Sequence, residues 1–311
     1  MILCCGEALI DMVPVTDVDD NDAFAPLCGG ASMNMSVALG RLGIPVGLLS
    51  GVSNDLFGAQ LVDRLMTSEV STDLLIRSDR PTTMAFVRLT DGHADYTFYD
   101  ENSAGRMIKN SDLPDLPNNV SAVCAGGISL CAEPAASSYE ALFLREAKHR
   151  VTMLDPNIRL GFISDEPAYR ARIARMITVA DVVKVSDEDL DWIVPKGAVL
   201  SSKVQSLHDS GAKVVIVTKG SDGASGYIYG QPVVDVAVPR VRVVDTVGAG
   251  DTFNAGFMAK LHMLGVLSKD SMTMLTGVQL HQALNYGAKA AAITVSRAGA
   301  NPPFASEMAM D

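Results

Sequence analysis

The sequence predicts an α/β protein, a doubly wound three-layer α/β/α domain with a small β-sheet lid. Two observations lead to this fold class. Short apolar or β-branched runs alternate with longer helical patterns along most of the chain, as in a parallel sheet that is covered by helices on both faces. Two segments break this alternation with successive strands, which a right-handed βαβ series does not accommodate.

The individual elements follow from local patterns. Runs ending in Gly, Asp, Asn, Ser or Thr predict the strands MILCCGEALI, VGLLSGVS, SAVCAGGIS, VTMLDPN, ADVVKVS and AKVVIVT. Amphipathic stretches between them predict the helices FGAQLVDRLMTS, SSYEALFLREAKH and EPAYRARIARMITVA. Near the C-terminal end, VPRVRVVD (residues 238–245) predicts a further strand.

The lid is predicted from the two segments that interrupt the series. Residues 12–28 contain no helical pattern, and residues 82–100 form two strand patterns joined at Asp91-Gly92, a strong hairpin signal. We expect one domain over residues 1–311, with these segments inserted as a β-lid that covers a cleft. A sheet extension without function is the alternative.

Composition excludes several function classes. The 311 residues include 25 Lys and Arg against 36 Asp and Glu, a formal net charge of −11, and no basic cluster, so nucleic acid is not an expected partner. No apolar run approaches the roughly 20 residues of a membrane span, and the N-terminus has no basic leader. The five cysteines favour reduced thiols. We therefore expect a cytoplasmic protein without a membrane partner.

The stretch DTVGAGDTFNAGF (residues 245–257) predicts an anion site. Gly248, Ala249 and Gly250 leave backbone N–H groups unobstructed at the start of a helix, where the helix dipole favours phosphate. That helix is predicted from apolar residues at helical spacing: Phe253, Phe257, Leu261 and Leu264.

Asp251 follows the turn of small residues 248–250, called the bare turn below, although a carboxylate repels phosphate. Helix capping would explain the acid alone. A general base, placed to take the proton of an incoming hydroxyl during phosphoryl transfer, explains both the acid and the bare turn. We favour the base.

A second glycine pair opens GGASMNMSVALGRLG (residues 29–43). Gly29 and Gly30 precede a predicted helix that ends at Gly43, and Asn34 lies one turn inside it. An amide there can both donate to and accept from a polyhydroxyl ligand. A glycine turn for close packing, with a surface Asn, is the alternative.

These two stretches resemble the signatures of the ribokinase-type (PfkB) carbohydrate kinases. The resemblance covers nearly the whole chain and implies ATP, Mg²⁺ and transfer of the γ-phosphate to a sugar hydroxyl. By motif match, Asp251 would be the base, and the backbone of Gly248, Ala249, Gly250 and Asp251 the anion hole. Asp11, Gly29, Gly30 and Asn34 would hold the sugar. A homodimer formed through the lid is also expected.

Other segments match the family's nucleotide and ion sites. TKGSDG, with Thr218, Gly220 and Gly223, resembles a nucleotide-contacting turn, and a plain turn is the alternative. Ser186 and Asp189 stand where many members have Asn and Glu; Asp189 would hold a metal through water, and a helix N-cap is the alternative. The resemblance also places Ala288 beside adenine and Asp245 at a site for a monovalent cation such as K⁺, where a turn former is equally consistent.

The segments DPNIR, YDENSAGRM and ITVSRAGANPP look most like the fructokinase branch, which implies D-fructose as substrate and fructose 6-phosphate as product. Arg159 and Arg88 are candidate sugar-binding residues. A salt bridge is the alternative for Arg159, and alternation does not decide the direction of Arg88. A 2-keto-3-deoxygluconate kinase and a ribokinase are the alternative kinases.

Two further function classes are compatible with a doubly wound fold. A nicotinamide-dependent dehydrogenase would carry G-x-G-x-x-G after the first strand, and this sequence does not. A sugar- or nucleotide-binding regulator would retain the glycines and lack the acid, whereas Asp251 is present. Both are disfavoured relative to a kinase.

Overall fold

The computed structural model describes residues 1–90, 93–194, 197 and 199–309, and for residues 88–90 and 93–95 it describes the backbone only. The strands in chain order are β1 Ile2–Cys5, β2 Leu9–Thr16, β3 Asp22–Gly29, β4 Val46–Leu49, β5 Gly51–Ser53, β6 Val70–Ser71, β7 Ile76–Ser78, β8 Met84–Thr90, β9 His93–Tyr99, β10 Ala122–Gly126, β11 Val151–Asp155, β12 Val182–Ser186, β13 Val214–Thr218, β14 Ala224–Ile228 and β15 Val234–Val236. The α-helices are α1 Ala31–Arg41, α2 Leu56–Met66, α3 Ala135–Glu146, α4 Glu166–Ile177, α5 Asp187–Ile193, α6 Leu200–Asp209, α7 Ala249–Met263, α8 Lys269–Thr273, α9 Gly277–Val295 and α10 Ala305–Met308.

The main sheet is largely parallel. In the described part of the chain it has nine strands in the order β15-β14-β13-β12-β11-β10-β1-β4-β6. From β13 to β6 neighbouring strands run parallel, and β14 and β15 continue the sheet antiparallel at one edge. A separate four-stranded sheet has the order β3-β2-β8-β9. The predicted fold class is therefore confirmed.

Helices cover both faces of the main sheet and produce two cores. One core packs α1, α2, α7 and α9 against side chains such as Ile2 and Val182, and the other packs α3, α4, α5 and α6 against side chains such as Leu3 and Val183. Because successive side chains of a strand point to opposite faces, Lys184 in β12 lies on the α7 side with Val182. No helix in the described ranges combines the length and apolar character of a membrane span.

The parallel strands define where a ligand site is expected. From β1 the chain continues to β4 on one side, and β10 lies on the other side of β1. In open α/β sheets, ligands bind beyond the carboxyl ends of the strands at such a switch in strand order. Glu7 lies just after the carboxyl end of β1, and the strands β10, β11 and β12 end in Gly126, Asp155 and Ser186.

The small sheet contains the predicted hairpin strands. β8 and β9 pair antiparallel, and β2 pairs with both β3 and β8. The predicted turn at Asp91-Gly92 lies outside the described residues. Phe98 of β9 contacts Phe162, which follows β11 and its loop, with ring centroids 4.0 Å apart. One face of the small sheet is thereby held against the loops at the carboxyl edge of the main sheet.

The strand predicted over residues 238–245 is wrong. The sheet ends at β15, and this segment runs as an irregular chain whose Val244 N–H donates to Val295 O at 2.8 Å. Val243 and Val244 are 60% and 57% exposed. The valines fit a strand locally, but no strand in the described residues pairs with this segment, and Val238, Val241 and Val243 line a cleft instead.

Candidate active site

The turn before α7 presents unpaired backbone donors. Gly248 is the N-cap residue and has a left-handed φ of 74°, and a Cβ there would lie 2.8 Å from the Ala300 Cβ. Glycine is thus required both by conformation and by space. Among the backbone hydrogen bonds of the described chain, none uses the N–H of Gly250 or Asp251. Unpaired N–H groups at the positive end of a helix dipole favour the binding of an anion.

Asp251 lies at the third position of α7 and does not cap it. The helix N-terminus has no side-chain cap, and Oδ2 of Asp251 instead accepts a hydrogen bond from Asn34 Nδ2 at 2.9 Å. The capping interpretation of Asp251 is therefore wrong. The surface-Asn interpretation of Asn34 is also wrong, because its amide is directed at this buried carboxylate.

The environment of Asp251 favours proton uptake near neutral pH. Burial raises the pKa of Asp251 to about 7, and the hydrogen bond from Asn34 opposes this rise. The negative charges of Asp155 and Glu7 add to the rise, whereas the Lys184 ammonium lowers the pKa. A carboxylate with a pKa near 7 is suited to accept a proton during a reaction at neutral pH.

Asp11 lies on β2 of the small sheet, beside the start of α1. A Cβ on Gly29 would overlap the Asp11 carboxylate, so glycine is needed for this close approach. Gly30 is the N-cap residue of α1. Burial raises the pKa of Asp11 to about 6, and no hydrogen bond from a described residue reaches its carboxylate. The structure therefore brings Gly29, Gly30 and Asn34 together and leaves one acceptor unsatisfied.

A large cleft lies on the other side of the bare turn. Its volume is about 650 Å³, and Ala249 and Gly250 are part of its wall. The predicted nucleotide residues Thr218, Gly220 and Gly223 line it. Most of the other lining side chains are apolar, and Ser221, Arg240 and Thr246 are polar or charged; the larger apolar group comprises Val238, Val241, Val243, Phe253, Ala288, Ala291, Ala292 and Val295. A flat apolar group next to phosphates fits this combination of surfaces.

Ser186 and Asp189 form a capping box at the start of α5. Ser186 Oγ accepts from Asp189 N at 3.0 Å, and Asp189 Oδ2 accepts from Ser186 N at 3.3 Å. The other Asp189 oxygen accepts from Ile158 N at 3.0 Å. Ser186 also pairs with Thr218 across β12 and β13, at the border of the cleft. The N-cap interpretation is confirmed, and a water-mediated metal contact of Asp189 stays a prediction.

The remaining predicted residues lie at the margins of the site. Arg159 is exposed, donates to Ile158 O at 3.0 Å and forms no ion pair with a described residue. Asp245 accepts from Val247 N at 3.0 Å and from Gly299 N at 2.8 Å, so it joins two loops. Arg88 pairs with Asp95 in the backbone register of β8 and β9, and its side chain lies outside the described residues.

Comparison with known proteins assigns the family. The model of the pfkB family carbohydrate kinases matches residues 1–307. The chain belongs to the pfkB family of carbohydrate kinases.

Several relatives of this pfkB chain are fructokinases by name. A fructokinase of Rhizobium leguminosarum bv. trifolii is 50% identical over 275 residues, which cover 88% of this chain and 84% of that protein. The crystal structure of a fructokinase with bound ATP from Xylella fastidiosa matches with a TM-score of 0.88 at 28% identity, over 99% of this chain and 96% of that one. A Vibrio cholerae O395 fructokinase with fructose, ADP and calcium matches with a TM-score of 0.82 at 26% identity, over 96% and 94%.

The sequence does not predict four residues that surround Asp251 or its neighbours: Glu7, Asp155, Lys184 and Asn254. Glu7 accepts from Ala31 N at 3.1 Å and Ser129 N at 3.2 Å. Asp155 Oδ2 accepts from Lys184 Nζ at 3.0 Å and Asn254 Nδ2 at 2.7 Å. A usable signal existed for two of them, because Glu7 and Asp155 come at or just after the carboxyl ends of strands, and polar residues there line sites in open α/β sheets.

The raised pKa of Asp251 makes a stability prediction. An unfolded Asp has a pKa near 3.8 and the folded group one of about 7, so the folded state favours the protonated acid. Its stabilising contribution is complete below about pH 4 and is lost as the pH rises through 7. Asp251→Asn stays neutral, so its Tm should rise relative to wild type between those pH values and level off above them.

Thermal unfolding at a series of pH values measures this difference. Asp17→Asn is the control, because hydrogen bonds from Asn21 and Asp19 lower the pKa of the exposed Asp17, and this variant should show no such gain with pH. A Tm difference for Asp251→Asn that does not change with pH would contradict the raised pKa.

Proposed function

We propose that this chain is an ATP-dependent fructokinase that transfers the γ-phosphate of ATP to the 6-hydroxyl of D-fructose. The observation that carries the proposal is the Asp251 carboxylate, which does not cap its helix, has a pKa of about 7 and adjoins unpaired backbone N–H groups. Half of the residues aligned with the Rhizobium fructokinase are identical, which supports fructose as the substrate.

The proposed reaction uses each side of the bare turn. The sugar hydroxyl gives its proton to Asp251 while its oxygen bonds to the γ-phosphorus, and the bond from that phosphorus to the bridging oxygen of ADP breaks. The N–H groups of Gly248, Ala249, Gly250 and Asp251 form the anion hole that stabilises the negative charge on the transferring phosphoryl group. The products are fructose 6-phosphate and ADP, with the proton on Asp251.

The proposed nucleotide site is the cleft lined by Thr218, Gly220, Gly223 and Ala288, with Ser186 beside Thr218. Its apolar walls suit adenine, and its inner end is the anion-binding turn. Ala288 is almost completely buried, so adenine would be held there by apolar contact.

Two metal ions are proposed, one that enters with ATP and one beside Asp245. Among the described residues, no three His, Cys, Asp or Glu side chains form a metal-binding group. Mg²⁺ is commonly bound through substrate phosphates, water and few carboxylates, so we propose that it enters with ATP and that Asp189 contributes through water. When bound, it neutralises phosphate charge. A monovalent cation such as K⁺ is proposed beside Asp245, where two loops meet.

The proposed sugar site lies under the small sheet. Asp11 offers an unsatisfied carboxylate, Asn34 contacts Asp251, and Gly29 and Gly30 leave room beside them. Burial raises the pKa of Tyr96, and the charges of Asp11 and Asp245 add to this rise whereas the Arg159 guanidinium opposes it. Arg159 forms no ion pair with a described residue, so its guanidinium is proposed to bind a sugar hydroxyl or a phosphate, and Arg88 stays a candidate.

Asp251→Asn tests the role of the base. The amide keeps the size and can still accept from Asn34, but it does not accept the hydroxyl proton, so kcat should fall by roughly 10² to 10⁴. The KM for ATP should be unchanged or lower, because a negative charge beside the phosphates is removed. Steady-state kinetics coupled to ADP release measure both constants.

Gly250→Val provides the matched variant for the anion hole. It should lower kcat by a comparable factor with the base intact, because a branched side chain would obstruct the N–H groups and meet Lys184. A kcat of Asp251→Asn within a few-fold of wild type would overturn the proposed mechanism for any sugar.

The substrate is tested with a panel of D-fructose, ribose, 2-keto-3-deoxygluconate, tagatose and a nucleoside, assayed with ATP and Mg²⁺. We expect the highest kcat/KM with D-fructose and, by NMR of the product, phosphate on the 6-hydroxyl. A preference of about tenfold or more for another compound would replace fructose, because a ratio of this size is commonly set by pocket contacts. Such a result would leave the kinase assignment intact.

We further propose a homodimer through the small sheet. Phe24, Phe86 and Tyr99 form a row of edge-to-face contacts there, and Phe24 and Tyr99 are 46% and 63% exposed. Phe24→Glu should give a monomer in sedimentation velocity, because a charge in an apolar interface is costly. Val278→Glu, at an exposed residue of α9, is the control and should leave the dimer unchanged. A monomeric wild type at all concentrations would contradict the proposal.

A cytoplasmic location is proposed on the state of the cysteines. All five are free, and Cys4, Cys5 and Cys124 are buried. Free thiols are the rule in reducing compartments.

A further inference from the structure

A buried lysine lies beneath the proposed anion hole. Lys184 is the third residue of β12, in the sequence VVKVS, between valines that are fully buried, and its side chain is 6% exposed. A lysine in the interior of a central parallel strand is unusual, because desolvation of its ammonium is costly. Neither ATP nor the sugar site as proposed above assigns it a role.

Two residues hold the Lys184 ammonium in place. Its Nζ lies 3.0 Å from Asp155 Oδ2 at the end of the neighbouring strand β11. The same carboxylate oxygen accepts from Asn254 Nδ2 at 2.7 Å, and Asn254 lies on α7, three residues after Asp251. The network therefore connects β11 and β12 to the helix that carries the proposed base.

The ammonium also lies against the first turn of α7. A Cβ placed on Gly250 would be 3.4 Å from Lys184 Nζ. Gly250 is the residue before Asp251, so the positive charge is close to both the unpaired N–H groups and the carboxylate. A side chain at position 250 would separate them.

Three charged groups and one neutral amide act on Asp251. Glu7 follows β1, Asp155 ends β11, Lys184 belongs to β12, and the neutral Asn34 donates from α1. Cys4 and Cys124 are also near, and burial keeps both thiols protonated by raising their pKa values. Among described residues, the charges that act on Asp251 are thus two carboxylates and one ammonium.

We infer that Lys184 is a positioning residue for phosphoryl transfer: held by Asp155 and Asn254 against the Gly250 turn, its ammonium favours the charged form of Asp251, which accepts the hydroxyl proton. This inference rests on the proposed function, since it requires Asp251 to be the base. A purely structural role, a buried ion pair that joins β11 to β12, is the competing explanation.

The two explanations differ in the sign of their effects on the pH profile. Lys184→Met removes a positive charge near Asp251, so the acidic limb of kcat/KM should move to higher pH by about one unit or more. Asp155→Asn removes a negative charge near Asp251, so the acidic limb should move to lower pH. The amide is similar in size to the carboxyl group and still offers Lys184 an acceptor oxygen. A structural role predicts loss of stability in both variants without opposite shifts.

The experiment measures kcat/KM for fructose from about pH 5.5 to 9.5, because this constant reports ionisations of the free enzyme. Activity of Lys184→Met should be reduced at least about sevenfold more at pH 6.5 than at pH 9, and the KM for ATP should change less than kcat. The double variant Lys184→Met/Asp155→Asn should place the limb between those of the single variants. It also guards against misfolding, because replacing both members of a buried ion pair is commonly tolerated.

Lys203→Met is the matched control. Lys203 is likewise buried and paired, with Asp191, but it lies on α6, which packs on the opposite face of the sheet from α7. This variant should lower Tm and leave the acidic limb within about 0.3 pH units of wild type, a change too small for a lost neighbouring charge.

Two results would overturn the inference: an unmoved limb in Lys184→Met, or shifts of Lys184→Met and Asp155→Asn in the same direction. Near-normal activity of Asp251→Asn would instead overturn the proposed function itself. The two failures are therefore distinguishable.

Discussion

The hydrogen bond from Asn34 to Asp251 joins residues 217 positions apart in the chain, and the site depends on it. Both residues lie in the first turn of a helix whose N-cap is a glycine with positive φ, Gly30 for α1 and Gly248 for α7. Two helix N-termini thereby meet at one edge of the sheet. Their combined dipoles favour anions, and the bond fixes the carboxylate between the apolar cleft and the small sheet. The N-terminal and C-terminal parts of the chain must both be folded before either pocket is complete.

The electrostatics of this edge oppose stability in the absence of a ligand. Three carboxylates, Glu7, Asp155 and Asp251, are buried close to one another, and burial is the largest cause that raises the pKa values of Glu7 and Asp251. Asp155 is stabilised by its contacts with Lys184 and Asn254. Such an arrangement is retained where chemistry requires a carboxylate with a pKa near neutrality, since an apolar core would be more stable.

The parts of the structure that depend on local sequence could be predicted, and those that depend on strand order could not. Asp251, Asn34 and the glycines lie at the starts of α1 and α7, so the sequence predicts these two helix N-termini, and the anion site stays a prediction. Asp155 and Lys184 belong to different strands and Glu7 follows a third, and only the order of β1, β10, β11 and β12 brings them together. The strand predicted over residues 238–245 is wrong for a similar reason, because a run of valines forms a strand only where another strand is available for pairing.

The small sheet provides the last constraint on the site. Phe98 of β9 packs on Phe162 and keeps this sheet close to the main domain, while β2 of the same sheet carries Asp11 next to Gly29. A carboxylate that is largely buried without a hydrogen bond from a described residue is costly, and burial accordingly raises its pKa to about 6. A ligand hydroxyl that donates to Asp11 removes this cost, whereas a ligand without a hydroxyl at that position does not. An acceptor without a partner in the protein rejects a ligand that lacks the matching donor more strongly than an apolar pocket of the same shape would.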